Sequence, residues 1–364
     1  MSAMDEARSQ IESIDKEMAA LFEKRMKCAN VIASYKIEHG LPVVDKERER
    51  ILIDKNVGYL EDVAIEPYYR EFFNGMLKVS KNYQQTFMRS VKVAYSGIEG
   101  SFASIMVSNV FPAARRIPMK NFAEAYEAVE KGECDFAVLP IENSYAGEVG
   151  QVSDLMYNGS LYVNGVYELG VNQCLVGVEG SSVATIKTVV SHPQALEQCN
   201  EYIFDHDYRT KQADNTAVAA RDIADRNDVT LGAIASAETA ELYNLKILER
   251  GINKSTNNTT RFAVLSRTKE EFEGKDKDLC SILMFTVKNE AGTLAKAVSI
   301  IGKYGFNMNV LRSRPIKVVN WKYYFYAELE GDINTPEGDE MVKSLSSECE
   351  VIKVLGSYKP GKRY

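Results

Sequence analysis

In the stretch NNTTRFAVLSR, residues 257–267, a hydroxyl and a guanidinium stand at the mouth of an apolar run. Thr260 can donate a hydrogen bond and Arg261 can hold a carboxylate, so the pair suits work on an anion. Phe262 would fix the pair against a core, and a cap at a strand entry is the plain alternative. A second set of polar residues lies near the N-terminus. Arg25 and Lys36 are 11 positions apart, about 20° of helical phase and roughly 16 Å along a helix axis. Two long cations on one face can grip a small dianion. Asp45 with Glu49, and Ser80 with Gln84, are i,i+4 pairs that each project from one face of a helix. Residues of these types also decorate any solvated helix.

The elements that position them fall into three styles. Residues 5–38 read as one long helix, with Ile11, Ile14, Met18, Leu21 and Phe22 at spacings of three and four. A second helix is expected after Asp45 as N-cap, and a third from about Ala64 into KNYQQTF. From Val91 strand-like and helix-like pieces alternate, the pattern of an α/β domain with helices on both faces of a sheet. Several polar clusters follow strands there and open helices: Gly97 to Ser101, Glu142-Asn143-Ser144, Ser191-His192-Pro193-Gln194 and Asn215-Thr216. Helix starts at the carboxyl ends of strands are where α/β sheets take anions, although each cluster alone reads as a cap. Residues 266–278 form a charged linker. From Leu279 the order is strand, helix, strand, strand, helix, strand, the ferredoxin-like βαββαβ pattern.

Composition narrows the classes. The chain has 364 residues, room for two or three domains, and 45% hydrophobic content suited to real cores. A formal net charge of −7 disfavours nucleic acid. No stretch has the apolar length of a membrane span, and MSAMDEARSQ is not read as a signal peptide. Six cysteines without C-x-x-C read as reduced cytoplasmic thiols, and three histidines without H-x-x-x-H leave little for a metal. GIEGS lacks the ending of a phosphate loop, so no nucleotide and no cofactor is expected.

The helical section, residues 1–89, resembles the all-helical class of chorismate mutases at Arg8, Arg25, Lys36, Asp45, Arg48, Glu49, Ser80 and Gln84, with LPVVDKERER its most characteristic stretch. The resemblance implies rearrangement of chorismate to prephenate. Arg8, Arg25 and Arg48 would hold carboxylates, Lys36 and Gln84 would donate to the ether oxygen, and Glu49, Asp45 and Ser80 would bind the hydroxyl side. Residues 91–267 resemble prephenate dehydratase at GIEGSF, PIENSYAG, SHPQALEQC and NTTRF. That implies two α/β lobes of periplasmic-binding-protein-like fold with a cleft between them. Prephenate would bind at Ser101, Asn143, Ser144, His192, Gln194, Thr216, Thr260, Arg261 and Phe262; Thr260 would donate to the departing hydroxyl, and Arg261 would anchor a carboxylate or brace the loop. Residues 279–364 resemble an ACT regulatory domain, implying phenylalanine as effector. Its ligand loop would be Ala291-Gly292-Thr293-Leu294, and its second motif Arg312-Ser313-Arg314-Pro315. The family has Glu where this chain has Arg312, which reverses the local charge.

Arg8 lies 28 positions before Lys36, roughly 42 Å along a straight helix. One small substrate cannot touch both from the same chain. If both serve one site, Arg8 reaches into a partner's pocket, and a dimer of crossed long helices follows.

Overall fold

The computed structural model describes residues 2–38, 46–254, 257–270, 272, 278–317 and 321–364. Two compact units result, residues 1–91 with 110–115 and residues 92–109 with 116–364. Asp45 and six residues of the charged linker, 271 and 273–277, lie outside the described residues.

The first unit is helical: α1 (Ala3–Glu38), α2 (Lys46–Val57) and α3 (Glu66–Ser90). A short 3-10 turn, Val63–Ile65, leads into α3, and Asp62 caps it by accepting from the Ala64 N–H at 2.9 Å. α1 packs on α3, and its buried residues are Met26, Ala29 and Ala33. Residues 2–24 are all exposed. The apolar stripe Ile11, Ile14, Met18, Leu21 and Phe22 is 43% to 63% exposed, so the periodicity that makes the helix amphipathic is not used among the described residues.

The second unit opens with β1 (Lys92–Ser96), α4 (Phe102–Val110), β2 (Arg115–Met119), α5 (Phe122–Glu130), β3 (Phe136–Asn143), β4 (Gly147–Glu148), α6 (Gly150–Asn158) and β5 (Tyr162–Gly170). The chain then crosses to β6 (Cys174–Gly177), β7 (Thr188–Ser191), α7 (Pro193–Gln198), α8 (Asn200–Asp205), β8 (Arg209–Gln212), α9 (Thr216–Arg226), β9 (Leu231–Ala235), α10 (Ala237–Leu242) and β10 (Lys246–Arg250). It returns through β11 (Thr259–Ser266). Among the described residues these elements form two sheets, not the single one that alternation by itself suggests. One has the order β5-β11-β3-β1-β2, with β4 on β3, and the other β10-β6-β9-β7-β8. The chain passes from one lobe to the other after β5, through 171–173, and comes back after β10.

The C-terminal part is β12 (Cys280–Val287), α11 (Thr293–Lys303), β13 (Met308–Pro315), β14 (Tyr323–Glu330), α12 (Pro336–Leu345), β15 (Cys349–Tyr358) and β16 (Pro360–Arg363). Its sheet, β13-β14-β12-β15, is antiparallel in the ferredoxin-like order. Period-2 alternation explains its apolar strands. Leu283 and Phe285 join Ala297, Ile301, Met341 and Leu345 of its own helices, whereas Ile282 and Met284 join Leu139, Met156 and Val163 of the first lobe. Both faces are buried, so SILMF carries no polar alternation. β16 leaves this sheet and pairs parallel with β5.

Polar contacts close the same interface. Arg314 and Tyr324 bind Asp154 on α6, Tyr157 stacks on Tyr324 at 4.3 Å, and Lys353 donates to the carbonyls of Met156, Tyr157 and Gly159 at the end of α6. A Cβ on Gly150 would stand 1.9 Å from Arg314 Nη1, so only glycine lets the guanidinium lie across the start of α6.

Burial raises the pKa of Asp154, but hydrogen bonds from Arg314, Lys317 and Tyr324 outweigh it and hold the carboxyl below its ordinary range. A depressed folded-state pKa contributes stability that is present above the unfolded pKa, near 4, and is lost as pH falls through the folded value. Asp154→Asn should therefore cost about 1–3 kcal/mol at pH 7. It should also flatten the fall in melting temperature between about pH 5 and pH 3. Equal acid sensitivity in variant and parent, measured by calorimetry, would show that this contact is not its source.

Candidate active sites

Between the two α/β lobes lies a cavity of about 400 Å³, within the range of small-molecule sites. Ser101, Asn143, His192, Gln194, Thr216 and Thr260 line it. They come from both lobes. Ser101 opens α4, His192 and Gln194 open α7, Thr216 opens α9, and Asn143 and Thr260 lie on paired strands.

Asn143 decides what the Thr260 hydroxyl can do. Its Oδ1 accepts the N–H groups of Tyr145 and Ala146 at 3.0 and 2.9 Å. That fixes the amide orientation and leaves Nδ2 to donate to Asn258 Oδ1 at 2.8 Å and to Thr260 Oγ1 at 3.0 Å. A hydroxyl that accepts in this way keeps its own proton for a ligand in the cavity. His192 is similarly committed. Its Nδ1 accepts from the Gln194 N–H at 3.2 Å, which leaves Nε2 as a donor. Burial pushes the imidazole pKa down, with Asp214 opposing, so the ring stands neutral at pH 7.

Three expected residues are not in the cavity. Arg261 follows Thr260 on β11 and projects from the other face. It bonds Glu142 at 3.3 Å and Glu328 at 2.8 Å and donates to the Tyr358 hydroxyl at 3.4 Å, so it braces the strand and cannot anchor a carboxylate in the cleft. Ser144 is exposed and bridges the backbone, donating to Asn257 O at 3.1 Å and accepting from Thr259 N at 3.0 Å. Phe262 is buried in the core.

Other residues line the cavity that the sequence reading does not single out: Ser96, Lys120, Gln173, Gln198 and Asp214. Gln198 is four residues after Gln194 on α7, and that spacing is visible in SHPQALEQC. Lys120 is the one lysine or arginine among the lining residues. Gln173 is 2% exposed and its Oε1 has no hydrogen-bond partner, an orphan acceptor that a ligand hydroxyl would satisfy. It lies in a crossing between lobes, where no motif marks it.

In the helical unit, two of the expected residues carry orphaned buried atoms. Arg25 Nη1 and Gln84 Oε1 are buried without hydrogen-bond partners among the described residues, on helices that pack together. Burial lowers the Arg25 pKa. Gln84 Nε2 lies 3.4 Å from Ser80 Oγ, and both side chains are buried. Glu49 is paired with Lys81 at 2.9 Å. Lys36 is half-buried near the end of α1, and Arg48 and Arg8 are exposed.

The C-terminal part holds a cavity of about 370 Å³. Thr293, Leu294 and Ser313 line it, with Trp321, Tyr323 and Phe325 as an aromatic wall and Lys288, Glu290, Lys322 and Glu350 as charges. Ala291 and Gly292 are exposed in the adjoining loop. Gly292 has φ +86°, which favours glycine. Arg312, Arg314 and Pro315 do not line the cavity. β13 alternates, so Ser313 faces the cavity while Arg312 and Arg314 face the first lobe and pair with Glu142 and Asp154. The charge reversal at residue 312 therefore meets a protein carboxylate, not the ammonium of an effector.

Residues 93–270 match the prephenate dehydratase family and residues 7–85 match type II chorismate mutases. A bifunctional chorismate mutase/prephenate dehydratase of Aquifex aeolicus (strain VF5) is 30% identical, with 98% of each chain covered. A prephenate dehydratase of Arthrobacter aurescens, solved in complex with L-Phe, has a similar fold, with TM-score 0.68 and 24% identity over 74% of this chain and 90% of that one. A protein described as a novel type of quorum-quenching acylase matches with TM-score 0.68 and 29% identity over 74% of this chain and 98% of that one. The scaffold thus carries differently named activities, and the full-length relative with both segments is the decisive one. By that relationship and the two matched segments, this chain belongs to the bifunctional chorismate mutase/prephenate dehydratase family.

Proposed function

We propose that the helical unit rearranges chorismate to prephenate and that the cleft converts prephenate to phenylpyruvate, with phenylalanine as effector. The observation that carries the cleft reading is the Asn143-to-Thr260 hydrogen bond, which turns a hydroxyl into a committed donor. Prephenate loses carbon dioxide and hydroxide as its ring becomes aromatic. The electron pair of the breaking carbon–carboxylate bond flows into the ring, and hydroxide leaves from the opposite carbon. Thr260 donates to that departing oxygen, Gln173 Oε1 accepts a hydrogen bond from the bound hydroxyl, whose O–H stays intact, and neutral His192 offers a second donor. Lys120 supplies positive charge for a carboxylate.

In the mutase reaction no covalent intermediate forms. Holding the substrate compact and stabilising charge on the breaking ether oxygen carry the rate. Arg25 and Gln84 supply buried polar atoms for this. Lys36, Arg48, Glu49 and Ser80 are assigned with them, and Asp45 on the family likeness alone. Arg8 is assigned to the site of a second copy of the chain. α1 is one continuous helix, its N-terminal stripe is exposed among the described residues, and a crossing helix from another chain would cover it. The C-terminal part is read as an ACT regulatory domain, with phenylalanine's ring against the Trp321, Tyr323 and Phe325 wall. All six cysteines are free thiols, which suits a cytoplasmic enzyme.

Because the two sites use different residues, Lys36→Ala or Gln84→Ala should abolish turnover of chorismate and spare dehydration of supplied prephenate. Thr260→Val should do the reverse, lowering dehydratase kcat by roughly a hundredfold or more with little change in KM. Steady-state assays of each step check this, and loss of both activities in one folded variant would overturn the two-site assignment.

Mixing Arg8→Ala chains with Lys36→Ala chains under conditions that exchange subunits should restore mutase activity, because one site of each heterodimer draws both wild-type residues. Proven exchange without recovery would refute the donation of Arg8 in trans.

The chain has one tryptophan, Trp321, and it lines the C-terminal cavity. Phenylalanine should shift its emission saturably and reduce dehydratase turnover over the same concentrations. Inhibition with no change in Trp321 emission would place the effector elsewhere.

A further inference from the structure

Glu142 and Asn143 are neighbours on β3, and Thr260 and Arg261 are neighbours on β11. The strands pair with Asn143 opposite Thr260 and Glu142 opposite Arg261. Alternation sends the amide and hydroxyl to the cleft, and the carboxylate and guanidinium to the C-terminal sheet. On that second side the charges form an alternating row. Arg312 on β13 pairs with Glu142, Glu142 with Arg261 at 3.3 Å, and Arg261 with Glu328 at 2.8 Å. The Arg312 guanidinium lies 6.0 Å from the centre of the Tyr326 ring. The four charged side chains are 25% exposed or less, so solvent screening is weak.

From this arrangement we infer that Arg312 is a positioning residue for the dehydratase: through Glu142 it holds the end of β3 so that Asn143 keeps Thr260 in its donor state. The inference rests on reading Asn143 and Thr260 as the working pair of the cleft. Arg261 alone cannot do the same, because Glu328 already takes its other nitrogen. The balance is two cations for two carboxylates. A glutamate at 312 would put three carboxylates around Arg261, and Glu142 would be driven away from its present place. The residue that looks like a variation in an effector motif is thus tied to the chemistry two residues away across a domain interface. Burial raises the Glu142 pKa, and the Arg312 and Arg261 contacts more than offset it, so the carboxylate is ionised at pH 7 and available for the pairing.

The test uses the full chain with supplied prephenate. Arg312→Gln should lower dehydratase kcat roughly ten- to a hundredfold, with KM within about twofold of the parent. Mutase turnover by the same protein should be unchanged. Arg312→Lys, which keeps the charge but not the planar fork, should retain an intermediate kcat. Glu142→Gln should lower kcat as well, and the double variant should be no worse than Glu142→Gln alone, since Arg312 acts through that carboxylate. Parental kcat in Arg312→Gln while Thr260→Val is inactive would overturn the inference and leave the cleft reading intact. Fully additive losses would also overturn it. An active Thr260→Val enzyme would instead bring down the cleft reading itself. Should Arg312→Gln fail to fold, shown by loss of mutase turnover too, Arg312→Lys decides: parental kcat there overturns the positioning role and a reduced kcat with normal mutase turnover upholds it.

Discussion

The pairing of β3 with β11 is the constraint on which the second unit depends. It sets residues that are 117 positions apart, Asn143 and Thr260, within 3.0 Å. In the same register it sets Glu142 against Arg261. Because strands have a period of two, one register serves two surfaces at once. A slip of one residue would turn a carboxylate and a guanidinium into the cleft and an amide and a hydroxyl toward the C-terminal sheet. The buried run from Phe262 to Leu265 and the ion row beyond it oppose any such slip.

This gives the C-terminal sheet a structural part in the enzyme. One of its faces is covered by its own helices, and the other shares a core with the first lobe through Ile282, Met284, Tyr324 and Tyr326. β16 then enters the first lobe's sheet as an added strand on β5. Such an interface is hydrophobic as well as charged, and it joins this part directly to α6 and β3. Ser313 and Arg312 show how short the connection is: adjacent residues of one strand touch the C-terminal cavity and Glu142. An occupant of that cavity can change the cleft only if it binds two arrangements of this strand with different affinity.

The helical unit poses the opposite problem. Its first helix is 36 residues long, about 54 Å at ~1.5 Å per residue. Among the described residues only its second half is buried against a partner, and the exposed stripe of the first half has the composition of a core. Length and exposure together mean that a small substrate site spanning both halves needs residues from two copies.

Much of the fold is legible in the sequence because periodicity is a local property. The spacing from Ile11 to Phe22 predicts a helix over 5–38, and α1 runs from Ala3 to Glu38. The βαββαβ order is equally readable, since each element carries its own pattern and its own punctuation. Caps such as His192 and Asn215 are local too, and they do open α7 and α9. What only the tertiary structure decides is which way a residue faces and whom it meets. Arg261 and Arg312 sit in motifs that suggest ligand contact, but alternation on paired strands turns both toward protein carboxylates. Gln173 and Lys120 reach the cleft from a crossing and a strand end that carry no signal. The two-sheet division and the strand β16 depend on pairing between distant segments, which no window of sequence contains. The reason is physical: periodicity is set by backbone geometry within a few residues, whereas register and facing are set by partners a hundred or more residues away.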